Sequence, residues 1–106
     1  MSNEQPELDA PEVKVTQSDF VIDTPSSTDT ITKKGYWVHC WGKPATDTNF
    51  YALSSQRVEE DGAGVISKIK KDHERLRGHK HVDFRFTLEN NDTERLGKSK
   101  VTSVAS

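Results

Sequence analysis

The chain has little of several things that narrow its possibilities. It carries one cysteine, Cys40, in 106 residues, so no disulfide can form within it. A lone cysteine suits a reducing compartment, and cytoplasmic residence is expected. Long apolar runs are missing too. The best of them, Tyr36 to Trp41, is broken by His39 and falls far short of the ~20 residues a membrane helix needs. No membrane association is therefore expected. The first ten residues, M-S-N-E-Q-P-E-L-D-A, show neither the basic nor the apolar segment of a secretory signal. Only 31% of residues are hydrophobic and 8% aromatic. That suffices for one small core, and a domain of that size buries only about 60% of its chain surface. Such domains gain from a partner, a metal or self-association.

Chemical motifs are equally sparse. His39, Cys40, His73, His79 and His81 are potential metal ligands, but they do not fall at the paired spacings of structural zinc sites. His39 and Cys40, adjacent on a strand, point to opposite faces and cannot work together as base and nucleophile. Cys40 facing His73 across a core is the alternative pairing, outweighed by a buried structural thiol. Asp61-Gly62-Ala63-Gly64 matches neither of the Gly-rich phosphate-loop patterns. No catalytic residue, metal or cofactor is assigned, and an enzyme is not expected.

What is present is segregated. Residues 1–30 hold seven acids against one base, Lys14, whereas residues 31–106 hold fourteen bases and ten acids. The first thirty residues, rich in acids, Ser, Thr and Pro, carry too few apolar groups to offset the entropy of ordering. They are expected to form a disordered acidic arm, with Val13–Val15 and Phe20–Ile22 as candidate short strands. Phe20–Ile22 in particular could add to a sheet edge. Residues 31–90 are expected to form the folded domain and residues 91–106 a flexible tail. Val101 and Val104 offer one weak extra strand there.

Within the domain, Lys34 to Trp41 alternates as a strand, with Tyr36, Val38 and Cys40 on one face and Trp37, His39 and Trp41 on the other. Gly42 to Asp47 reads as a turn. Asn49 to Ser54 reads as a second strand, with Phe50 and Ala52 opposite in phase to Tyr51 and Leu53. From about Gly62 to Arg77, Ile66, Ile69, His73 and Leu76 follow a 3-4-3 spacing that predicts an amphipathic helix. Asp61 would cap it, and Gly78 would terminate it in the left-handed conformation. Lys80 or His81 to Leu88 alternates as a third strand, with Val82, Phe84, Phe86 and Leu88 facing one way. The expected class is therefore α+β: a three-stranded antiparallel sheet with one helix on one face, in the order β-β-α-β.

A single helix leaves one sheet face open. If Trp37, His39 and Trp41 lie on it, they present two indoles near Arg85, and contiguous exposed aromatics mark interaction surfaces. The sequence leaves open which face of the first strand is buried, since a one-residue slip inverts the choice. The candidate partner-binding residues are Trp37, His39, Trp41, Tyr51 and Arg85. Lys68, Lys71 and Arg75, on one side of the expected helix, make a second, electrostatic surface. The expected role is a non-catalytic regulator or inhibitor working by contact with a larger protein, with weak self-association as a further partner class. Single-stranded nucleic acid, stacked on the aromatics and tracked by lysines, is the alternative. The layout of polar arm, small body and polar tail resembles small viral or phage proteins that bind a host enzyme, a likeness that no motif carries.

Overall fold

The stretch Val65-Ile66-Ser67-Lys68-Ile69-Lys70 satisfies two periods at once. Ile66 and Ile69 continue a helical stripe, whereas Val65, Ser67 and Ile69 alternate with exposed Ile66, Lys68 and Lys70 as a strand. In the computed structural model, which describes residues 7–24 and 32–106, the chain takes the second option. Three of these six residues are β-branched, which disfavours helix and suits a pleated backbone. A ladder partner completes the choice: all six residues pair, antiparallel, with Asp19–Thr24. The expected helix is thus replaced by a strand and a series of turns over residues 71–80. There, Leu76 and Arg77 N–H donate to the His73 carbonyl, and Leu76 is buried as an anchor. Gly78 does take positive φ, at 81°, but in a turn that follows no helix.

No helix occurs among the described residues, so none is long and apolar enough to cross a membrane. Among the described residues the architecture is all-β, with nine strands in two sheets. They are β1 (Glu7–Leu8), β2 (Glu12–Val15), β3 (Asp19–Thr24), β4 (Trp37–Pro44), β5 (Tyr51–Arg57), β6 (Val65–Lys70), β7 (His81–Glu89), β8 (Arg95–Ser99) and β9 (Thr102–Ala105). The larger sheet runs β1-β8-β7-β4-β5, with β9 following β8 along the same edge of β7; the smaller runs β2-β3-β6. Between the β8 and β9 ladders, the Phe86 N–H donates to Ser99 Oγ at 2.9 Å, so the break leaves that buried amide satisfied.

The α+β expectation, β-β-α-β on three strands, is therefore corrected to a two-sheet sandwich. The arm expected over residues 1–30 is strand in most of its described part, and β3 lies at the centre of its sheet. Phe20–Ile22 pairs as the strand option anticipated. The tail expected over 91–106 holds β8 and β9, with Val104 in β9. Residues 1–6 and 25–30 of the expected arm, and residue 31 of the expected domain, lie outside the described residues. Apolar content was too low for the arm to fold alone; Phe20 and Ile22 are buried because the two-sheet core lies beneath them.

The core lies between the sheets. Phe20, Ile22 and Thr24 of β3 and Val65, Ser67 and Ile69 of β6 face Val38 and Cys40 of β4 and Val82, Phe84, Phe86 and Leu88 of β7. Phe20 meets Phe84 across the sheets with ring centroids 5.0 Å apart and planes tilted by 58°. Two polar contacts close the seams. Gln56 Nε2 on β5 donates to Ile66 O and Ser67 Oγ on β6, both at 2.8 Å, and the Thr102 hydroxyl donates to the Pro11 carbonyl.

Two stability outcomes follow. A chain lacking residues 1–24 loses half of the core's second layer, and should show no cooperative thermal transition by circular dichroism. Phe84→Ala should cost about 3–5 kcal/mol, read as a lowered urea midpoint, while Thr48→Ala in an exposed loop leaves the midpoint in place.

Candidate functional site

β7 buries Val82, Phe84, Phe86 and Leu88 against the second sheet, so alternation turns Asp83, Arg85, Thr87 and Glu89 outward. β4 pairs with it over its full length, and register then decides what stands beside what. Trp37 lies opposite Glu89, His39 opposite Thr87, Trp41 opposite Arg85 and Lys43 opposite Asp83. On the other side, β5 brings Arg57 to Trp37, Ser55 to His39 and Ala52 to Trp41. The open question of the first strand is thus resolved: Val38 and Cys40 are buried, and Trp37, His39 and Trp41 are half-buried on the outer face with Arg85.

The outer face is held by short polar contacts between strands. His39 Nδ1 lies 2.6 Å from Ser55 Oγ. Its Nε2 is 3.0 Å from Glu89 Oε1, close enough for an ion pair but outside hydrogen-bond geometry. The Trp41 indole N–H donates to Thr87 Oγ1 at 3.0 Å. Lys43 Nζ donates to Asp83 Oδ2 at 3.1 Å, and the Ser103 hydroxyl donates to Asp83 Oδ1 at 2.6 Å.

Cations cover the rings. The Arg57 guanidinium sits 5.0 Å from the Trp37 ring centre, and Trp37 stacks against His39 with planes 5° apart. The Arg85 guanidinium lies 4.3 Å from the Phe50 ring, with Lys43 Nζ 5.3 Å from the same ring. Each such contact is worth about 0.5–1 kcal/mol at an exposed site. Arg85 Nε is buried with no hydrogen-bond partner among the described residues.

Of the five expected contact residues, four share this face. Tyr51 does not: opposite Gly42 it turns the other way, and its hydroxyl reaches Asp47 Oδ2 at 3.4 Å. Leu53 is the extra residue where the β4–β5 register shifts, and it turns inward. Its Cδ1 lies 2.6 Å from where a Cβ on Gly42 would be, so a side chain there would displace Leu53 and press on the Phe84 ring. Phe50, Arg57, Lys43, Asp83 and Glu89 are members of the face that the sequence reading left out. Phe50 and Ala52 had been placed in one phase; extending that phase to the face of Trp41 was the available signal.

The expected electrostatic surface is dispersed, because its helix does not exist. Lys68 stands on the outer face of β6 in the other sheet. Lys71 follows that strand with its N–H bonded to the Ser18 carbonyl, and the Arg75 guanidinium lies 4.7 Å from the Tyr51 ring.

Among the described residues, two titratable groups are shifted. Burial pushes the Cys40 thiol up, against a hydrogen bond with Ser67 Oγ at 3.5 Å and looser contacts from the hydroxyls of Ser54 and Thr24. The Cys40–His73 alternative is not formed: His73 Nδ1 accepts from the Arg75 N–H instead. At Asp83, burial raises the carboxyl, but the Ser103 and Lys43 hydrogen bonds and the Lys43 charge outweigh it, so the pKa is lowered. Among the described residues, no three His, Cys, Asp or Glu side chains come together as a metal site. No protein-family model, curated protein or solved structure matches the chain.

A carboxyl with a lowered folded pKa stabilises the fold above its unfolded pKa of about 3.9, and that contribution is lost as pH falls through the folded value. Carboxyl NMR titration should therefore place Asp83 below the ordinary aspartate range, and Lys43→Met should move it back up. The Cys40 thiol should resist alkylation in the native protein and react freely in urea.

Proposed function

We infer that the chain is a non-catalytic protein-binding module whose contact surface is the outer face of the six-stranded sheet, and that it acts as a regulator or inhibitor of a larger partner. One observation carries this reading: Trp37, His39, Trp41 and Arg85 stand together on the face turned away from the core, with Arg57 and Phe50 beside them. Trp and Arg are the types enriched where interface energy concentrates. The strands beneath fix these side chains in place, so little ordering entropy remains to be lost on binding.

The face is also mixed in charge. Asp83 and Glu89 lie among the cations, and Lys43 is already paired. This favours a protein partner over a phosphate backbone, which is recognised by a groove of one sign. The Trp37 ring, engaged by Arg57 and His39, is a poor platform for an incoming base.

The test is affinity capture followed by quantitative binding to the captured protein. Trp37→Ala, Trp41→Ala and Arg85→Ala should each weaken the complex about tenfold or more, while Thr48→Ala, off this face, leaves it intact. Equal binding by all four variants would place the contact elsewhere. A fluorescent oligonucleotide bound more tightly than any protein, and released steeply by salt, would favour nucleic acid instead.

A further inference from the structure

The three-stranded sheet has an outer face of its own, and its side chains form a grid set by the pairing register. One row is Glu12–Asp23–Ile66, the next is Lys14–Val21–Lys68, and the third is Asp19–Lys70, beyond the end of β2. Ile66 is 58% exposed in the middle of a strand. It edges a hollow of about 290 Å³ that it shares with Glu12, Lys14, Val21 and Asp23. Glu12 and Asp23 are direct cross-strand neighbours of like charge, an unfavourable pairing. None of the six charged residues forms an ion pair among the described residues.

We propose that this face binds a second copy of the chain, about a two-fold axis that runs along the diagonal from Ile66 through Val21. Turning the grid about that diagonal sets Glu12 against Lys70 of the other copy, Asp23 against Lys68, and Lys14 against Asp19. All six charges then meet the opposite sign, each pair occurs twice, and Ile66 and Val21 meet their own twins. The other symmetric choices fail. An axis along the strands sets Lys14 against Lys68, one across them sets Asp19 against Asp23, and the second diagonal sets Glu12 and Lys70 each against itself.

Taken through Val21 at about 45° to the strands, close to that diagonal, the axis crosses the strands of the two copies at about 90°, one of the two arrangements that stacked sheets adopt. Rows lie about 6.8 Å apart along a strand and strands about 4.8 Å apart. The resulting mismatch of about 2 Å is within the reach of Lys and Glu side chains. A face three strands wide is smaller than the ~800 Å² per partner of a standard interface. The dimer is accordingly weak and weakened further by salt. This proposal rests on a different sheet from the tryptophan face and is independent of it.

Sedimentation equilibrium of the full chain, at micromolar to millimolar concentration and low salt, tests it. The wild-type chain should show a monomer–dimer equilibrium that shifts to monomer in high salt. Ile66→Lys, Lys68→Glu and Asp23→Lys, all at exposed positions, should each weaken association about tenfold or more. An equimolar mixture of Lys68→Glu and Asp23→Lys chains should dimerise again, since in the mixed pair both contacts join opposite charges. If either single variant does not fold, the chain carrying both substitutions should dimerise as the wild type does. A wild-type chain that stays monomeric, a dimer indifferent to these substitutions, or a mixture no more associated than its components would overturn the proposal.

Discussion

The ladder between β4 and β7 is the interaction on which the rest depends. β7 is paired along both edges and buries four large apolar side chains on one face. Alternation then leaves no freedom for the other face: Asp83, Arg85, Thr87 and Glu89 must point outward. The antiparallel register with β4 carries that constraint one strand further, so Cys40 is buried and both tryptophans are not. A slip of one residue would exchange them, putting two indoles and a histidine into the core and a thiol on the surface. Phe20 contacting Phe84 from the opposite sheet opposes that slip, because the core has room for the apolar set only in its present phase.

Much of the larger sheet was legible in the sequence for this reason. The period of two is plain in Val82-x-Phe84-x-Phe86-x-Leu88 and in the aromatic stretch before Gly42. The smaller sheet was not. Val65–Lys70 fits a helical stripe through Leu76 as well as it fits a strand, and only its partner β3 decides between them. β3 itself sits in a segment whose composition is that of a disordered arm, because half of its residues face solvent and its apolar half is short. Nonlocal pairing of this kind leaves no local trace. The candidate face was half visible. That Trp37, His39 and Trp41 share a face follows from phase, whereas Tyr51 was assigned to that face although its own phase partner is Leu53; alternation holds from Phe50 to Leu53, and only the pairing of Ala52 with Trp41 shows which set faces outward.

The two outer faces differ in kind. On the larger sheet, aromatic rings are covered by Arg57, Arg85 and Lys43, and most of the charges answer one another within the chain. On the smaller sheet, the charges stand apart, with a bare isoleucine among them. The first surface is largely satisfied within the chain, as the proposed binding face would require; the second leaves its charges unpaired among the described residues, in a pattern complementary to itself. Joined through the smaller sheets, two copies would present their tryptophan faces in opposite directions. Such a dimer, one face on each 106-residue chain, could then hold two partner molecules at once, with the effective concentration such linkage brings.

The pairing of first with last also has a consequence for how the chain comes into being. β1 is held by β8, β3 by β6, and β4 by β7, so three of the seven ladders, including those that tie each amino-terminal sheet segment to the rest, join segments made far apart in time on the ribosome. The amino-terminal strands, Phe20 and Ile22 among them, have no core to enter until β7 has emerged. Their acid-rich composition suits that wait, since net negative charge opposes association between chains: the acidity that disguises these strands in the sequence fits their late entry into the core.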